Sequence, residues 1–216
     1  MLISAERKLI FFHIPKTAGT SLKAILSQIC PDNPHIQKHM AAISLKRSDK
    51  LTAPSSSIIP HHVNQADIRR LINDTGLRIN NYFEFVFVRN PYDRIVSLYN
   101  YHSLHANRAL GLAPKYIDFD DFLYKCESSK NVPNTQWFQD QMYWVGDPLT
   151  PKLHIFKYDE IDEAWSTIRN ILKVDLPDLN RENVTKHKII NELSAKQKSR
   201  CYELFKDDFE SLGYDR

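Results

Sequence analysis

Leu9-Ile10-Phe11-Phe12-His13-Ile14 is a nearly unbroken apolar run that stops at Pro15. A strand with one wet face alternates apolar and polar residues, so a run without alternation belongs in a sheet covered on both faces. A turn follows from Pro15 to Gly19, and then Leu22, Ile25, Leu26 and Ile29 recur along one helical face before Pro31. Strand, tight loop and helix form the unit of a parallel α/β sheet, which predicts an interior strand from Leu9 to Ile14.

The unit recurs. Tyr82-Phe83-Glu84-Phe85-Val86-Phe87-Val88 is aromatic and β-branched and reads as a second buried strand. Asn90 suits a helix N-cap and Pro91 the first helical position, with Ile95, Val96, Leu98, Tyr99 and His102 continuing the pattern. Leu153 to Tyr158 reads as a third strand, and Ile161, Trp165, Ile168, Ile171 and Leu172 as the helix after it. Weaker helical patterns surround Phe119 to Lys125 and Thr135 to Trp144, and a C-terminal helical segment runs from Ser194 to Leu212. Residues 31 to 57 are polar and proline-bearing and read mostly as loop. Ile58-Ile59 reads as a short strand, and Asn64 or Asp67 as the start of a helix ending at Gly76, which places His61 and His62 at a strand-to-helix junction. The fold class expected is α/β, a P-loop-like three-layer arrangement with a central, mainly parallel sheet flanked by helices. The 216 residues suit one domain, 1–216.

Charge narrows the functions. Lys and Arg number 29 against 26 Asp and Glu, a net charge of +3, which is too balanced to predict a nucleic-acid partner. Leu9 to Ile14 is far too short to span a membrane, and Met1 to Arg7 is too polar for a signal peptide. Cys30, Cys126 and Cys201 are odd in number and widely spaced, which disfavours disulfides and zinc, so a reducing, cytoplasmic setting is expected. His35 with His39, or His102 with His105, has metal-compatible spacing but no evident third ligand, and no metal is expected.

The loop His13-Ile14-Pro15-Lys16-Thr17-Ala18-Gly19-Thr20-Ser21 leaves a buried strand and opens a helix, so its amides and the helix dipole converge on an anion. Lys16 adds a point charge, Thr17, Thr20 and Ser21 add hydroxyls, and Gly19 lets the backbone approach closely. It is not the triphosphatase loop, which needs an earlier glycine and a Lys directly before its Ser or Thr. Here Lys16 precedes Gly19, and no acidic strand end offers to hold Mg²⁺.

This loop resembles the 5′-phosphosulfate loop of the carbohydrate sulfotransferases that use 3′-phosphoadenosine 5′-phosphosulfate (PAPS). The block from Phe85 to Tyr99, with Arg89-Asn90-Pro91-Tyr92-Asp93-Arg94 at its centre, resembles the same family's 3′-phosphate element. The resemblance implies that Lys16, Thr17, Gly19, Thr20 and Ser21 hold the 5′-phosphosulfate and that Arg89 and Ser97 hold the 3′-phosphate. It implies PAPS as donor, adenosine 3′,5′-bisphosphate as product, and a glycan or small-molecule hydroxyl as acceptor. Asp93 and Arg94 are read as structural. It continues weakly through Gln141 to Trp165, where Phe156-Lys157-Tyr158-Asp159 resembles a late family strand, and into Tyr202 to Tyr214, whereas residues 31–57 and 101–135 do not match, which suggests that acceptor choice resides there.

Sulfuryl transfer needs an in-line acceptor oxygen, a base for its proton, and positive charge where the leaving phosphate oxygen becomes negative. Lys16 supplies the charge. Relatives often carry a catalytic histidine ahead of the second strand, and His62 is the expected base, with His61 one register away. Trp137, Phe138, Tyr143 and Trp144 read as core aromatics rather than a sugar platform, and Lys186-His187-Lys188 as a solvated basic run. Two rivals remain open: a nucleotide kinase dependent on ATP and Mg²⁺, and a catalytically silent nucleotide-binding module.

Overall fold

The structure is a computed structural model, and it describes residues 1–30, 69, 73, 76, 78–103, 116–130, 138–146, 152–178, 190 and 192–216. Strands β1 (Leu2–Ser4), β2 (Leu9–Phe12), β3 (Phe83–Val88) and β4 (Leu153–Lys157) form one sheet in the order β1-β2-β3-β4. β1 pairs antiparallel with β2, while β2, β3 and β4 are parallel. The helices are α1 (Gly19–Ile29), α2 (Pro91–Tyr101), α3 (Phe119–Ser129), α4 (Gln141–Val145), α5 (Ile161–Leu172), α6 (Ala195–Leu204) and α7 (Lys206–Leu212). The α/β class and the mainly parallel sheet match the expectation. β1 was not foreseen, because its three residues are too few to show a period.

Side-chain alternation divides the sheet. Ile10, Phe12, Val86 and Val88 face Trp144 and Val145 of α4 and Leu212 of α7. Leu9, Phe11, Phe85 and Phe87 face Leu22 and Leu26 of α1 and Trp165 and Ile168 of α5. Both faces are covered, which is why neither long strand shows a polar period. On the second face the Phe11 and Phe85 rings stack at 5.1 Å and those of Phe87 and Phe156 meet at 5.5 Å. Each such pair contributes about 0.5–1.5 kcal/mol beyond the area buried.

A third cluster joins α2, α3, α6 and α7 through Leu98, Phe122, Leu204 and Phe209. Phe138 and Trp144 are buried in the core, as expected, while Tyr143 is 40% exposed. The C-terminal helical segment is broken at Phe205, whose ring is buried. Ser194 opens α6 with a reciprocal cap, its hydroxyl accepting from the Gln197 amide while Gln197 Oε1 accepts from Ser194 N. The expected strand at Ile58-Ile59 lies outside the described residues. Arg69 and Asn73 are helical and Gly76 turns with φ 67°, as the predicted helix end requires. Arg69 reaches the fully buried Glu84 of β3 at 2.8 Å, partnering a carboxylate whose burial pushes its pKa up.

Candidate active site at the carboxyl edge of the sheet

Parallel strands place their carboxyl ends along one edge, where α/β proteins bind ligands. β2 ends at Phe12, β3 at Val88 and β4 at Lys157, and the next residues supply Lys16, Arg89 and Tyr158. All three chemical groups stand on that edge because each follows its strand within a few residues.

The loop after β2 is tightly built. Lys16 and Ala18 take positive φ angles of 70° and 62°, rare for residues with a Cβ. The Thr17 hydroxyl, buried, donates to the Ile14 carbonyl at 3.0 Å, so its hydrogen shapes the loop from within. Gly19 is obligatory for space: a Cβ there would lie 1.8 Å from His13 Cδ2. The helix therefore rests directly on the imidazole at the end of β2. Ala18 caps α1 without a side-chain hydrogen bond, and the first turn carries no acidic residue, which leaves the positive end of the helix dipole to the loop. Thr20 is exposed on that turn and Ser21 is half-buried.

Lys16 Nζ sits 4.3 Å from the centre of the Tyr101 ring at the end of α2. Burial and, secondarily, the Arg89 charge lower its pKa from 10.5 to about 8. The two cations are thus close enough to repel, which ties the first loop to the second block.

Arg89 is held by its backbone. Its amide donates to Gln141 Oε1 at 2.8 Å, and Gln141 Nε2 donates to the Arg89 carbonyl at 2.8 Å. Asp208 in turn accepts from the Gln141 amide at 2.8 Å and the Met142 amide at 2.9 Å, capping α4. Burial raises the Asp208 carboxyl to about 6 against the opposing pull of Arg94. The Arg89 guanidinium lies over the Tyr158 ring at 4.8 Å, and its Nε is buried with no hydrogen-bond partner among the described residues. Such an uncommitted donor is costly unless an acceptor fills it. Ser97 is half-buried on α2, two turns beyond Arg89.

Two cations that repel each other, a helix N-terminus without an acid, and an orphaned guanidinium donor fit an anion carrying negative charge at two places. Lys16, Gly19, Thr20, Ser21, Arg89 and Ser97 lie on the loops and helices that flank this edge, and Thr17 lies beneath them. His61 and His62 lie outside the described residues, as do Trp137 and Lys186-His187-Lys188. Among the described residues no group of three His, Cys, Asp or Glu could hold a metal ion, and no helix is long and apolar enough to cross a membrane.

Residues 1–215 match the sulfotransferase family model Sulfotransfer_2. The chain belongs to that family. It is similar to carbohydrate sulfotransferase 11 of Danio rerio, 20% identical over 99% of this chain, and to that of Rattus norvegicus, 21% identical over 99%. It spans 66% of the length of each of these relatives. Among solved structures, a sulfotransferase from Alicyclobacillus acidocaldarius superposes with a TM-score of 0.52 at 16% identity, covering 98% of both chains, so the fold is a sulfotransferase fold.

Sequence reasoning missed Gln141 and Tyr101 as partners of the site and read Arg94 only as structural. Arg94 carried a signal, because it shares a helical face with Ile95, Leu98 and Tyr99, and a charge on an apolar face is a buried charge with partners. Arg94 is 3% exposed, so its place is the interior. Gln141 and Tyr101 carried none, since their partners lie far away in sequence.

Proposed function

We propose that this chain moves the sulfuryl group of PAPS onto an acceptor hydroxyl, that of a carbohydrate. The convergence of Lys16 and the orphaned Arg89 donor on one edge of the sheet carries the reading. Lys16, Thr20, Ser21 and the backbone amides at the start of α1 would hold the 5′-phosphosulfate, and Arg89 with Ser97 the 3′-phosphate. The acceptor oxygen bonds to sulfur as the bond from sulfur to the phosphate oxygen breaks. His62 takes the acceptor proton, and Lys16 meets the charge left on the phosphate oxygen of adenosine 3′,5′-bisphosphate. No step needs a metal. The names of the curated relatives support a carbohydrate acceptor. Buried, free Cys30, Cys126 and Cys201 support a reducing, cytoplasmic setting for the same proposal.

Thermal shift tests it. Adenosine 3′,5′-bisphosphate at about 100 times its Kd stabilises the protein by about 2.7 kcal/mol, and ATP with Mg²⁺ does markedly less. Stabilisation by ATP with Mg²⁺ alone would instead favour a kinase. Binding without transfer of labelled sulfate to any glycan in an acceptor panel would identify a silent module.

Arg89→Leu weakens bisphosphate binding by about 10- to 100-fold, the loss of a charge-assisted hydrogen bond of about 1.5–3 kcal/mol. Titration calorimetry reads it. Undiminished affinity would remove Arg89 from the pocket.

A further inference from the structure

Arg94 joins the two halves of the edge from below. Its Nε donates to the Pro15 carbonyl at 3.2 Å, immediately before Lys16. Its Nη2 donates to the Gln139 carbonyl at 3.0 Å, two residues before Gln141, which clamps both backbone groups of Arg89. One planar guanidinium therefore touches the segment that carries Lys16 and the segment that fixes Arg89. Asp208 and Asp140 supply the negative charge that balances it in the interior. Asp208 also caps the Gln141 turn, and Asp140 is held at 3.0 Å by Lys130. The guanidinium suits this place because its donors diverge in a rigid plane, whereas an ammonium is a compact point charge that fixes no such geometry.

We propose that Arg94 is a positioning residue that fixes the separation between the Lys16 loop and the Arg89 strand end, and hence the spacing of phosphates that the cleft accepts. This rests on the reading of the cleft as a site for a nucleotide phosphorylated at both ends. Arg94 touches neither phosphate. It sets the distance at which both can be held at once, so it governs the advantage of a doubly phosphorylated ligand over a singly phosphorylated one.

The test titrates the full chain, by calorimetry, with adenosine 3′,5′-bisphosphate, adenosine 5′-phosphate and adenosine 3′-phosphate. The wild type is expected to bind the bisphosphate at least about 100-fold more tightly than either monophosphate, since joining two anchored groups makes the second contact intramolecular. Arg94→Lys retains the charge that Asp208 and Asp140 require but cannot hold both carbonyls in one plane. It is expected to keep each monophosphate affinity within about threefold while losing about tenfold or more of the bisphosphate advantage, as misaligned bivalent contacts do. Arg94→Met deepens that loss if it folds, and Arg94→Lys decides the matter if it does not. Equal weakening of all three ligands in Arg94→Lys would mean a merely structural role and overturn the inference. So would an undiminished bisphosphate advantage. A wild type with no such advantage would overturn the functional reading and this inference with it, whereas a wild-type advantage that survives in Arg94→Lys sinks this inference alone.

Discussion

Lys16→Met is expected to lower turnover by about 10²- to 10³-fold, the scale on which losing one preorganised group opposite developing charge acts, while raising the melting temperature at pH 7. The two effects have one origin. The ammonium is half-buried against Tyr101 and repelled by Arg89, so the folded protein releases its proton near pH 8 whereas the unfolded chain holds it to about 10.5. Below pH 8 both states are protonated, and the folded state bears the full cost of a charge in a poor environment. Between about 8 and 10.5 the unfolded state binds more protons, so this group's contribution to stability rises with pH through that window. Methionine fills much of the same space without the charge and removes the penalty.

The same proton governs catalysis in the opposite sense. In the proposed mechanism only the ammonium stabilises a departing phosphate oxygen, so kcat/KM of the wild type is expected to fall as pH rises above about 8. A bound anion between Lys16 and Arg89 restores the ammonium, so the fall in kcat lies at higher pH than the fall in kcat/KM. Calorimetric scans at pH 7 and 10, with a pH profile of labelled sulfate transfer, check both halves. Turnover near that of the wild type would remove Lys16 from the chemistry.

His62→Ala is expected to lower turnover by about 10²- to 10⁴-fold, the range of a positioned general base, and to leave the thermal shift with adenosine 3′,5′-bisphosphate unchanged. The split follows from the division of labour. In the proposed mechanism Lys16, Arg89 and the start of α1 grip the nucleotide, and the base serves only the acceptor hydroxyl. An imidazole base also brings an acid limb to the pH profile, and the variant lacks it. His61→Ala is the companion: a large loss there with normal turnover in His62→Ala would move the role by one residue. Normal turnover in both would assign the proton to another group.

The placing of Lys16 and Arg89 just after strand ends was legible in the sequence because each is local. A strand, a turn and the first turn of a helix put Lys16 and Gly19 within a few residues of each other, and the Asn90-Pro91 cap puts Arg89 at a strand end. Asn90 does cap α2, accepting from the Tyr92 amide at 2.9 Å. The need for Gly19 was legible only in part. Close backbone approach to an anion was the expected reason, and the imidazole of His13 beneath the helix is a second one that only packing reveals. Thr17 was expected to face the ligand, yet its hydroxyl hydrogen is committed to Ile14.

The alternation of buried strands with amphipathic helices determined the α/β class, the mainly parallel sheet, and the edge on which Lys16 and Arg89 stand, because these follow from hydrophobic periodicity and from the few residues that separate each side chain from its strand end. Tertiary structure alone decided that Arg94 would be buried between Pro15 and Gln139, that Gln141 would clamp Arg89, and that Tyr101 would lie under Lys16. Those contacts join residues 45 to 85 positions apart, between segments that meet only when helices pack over the sheet, and no local pattern encodes a partner at that range.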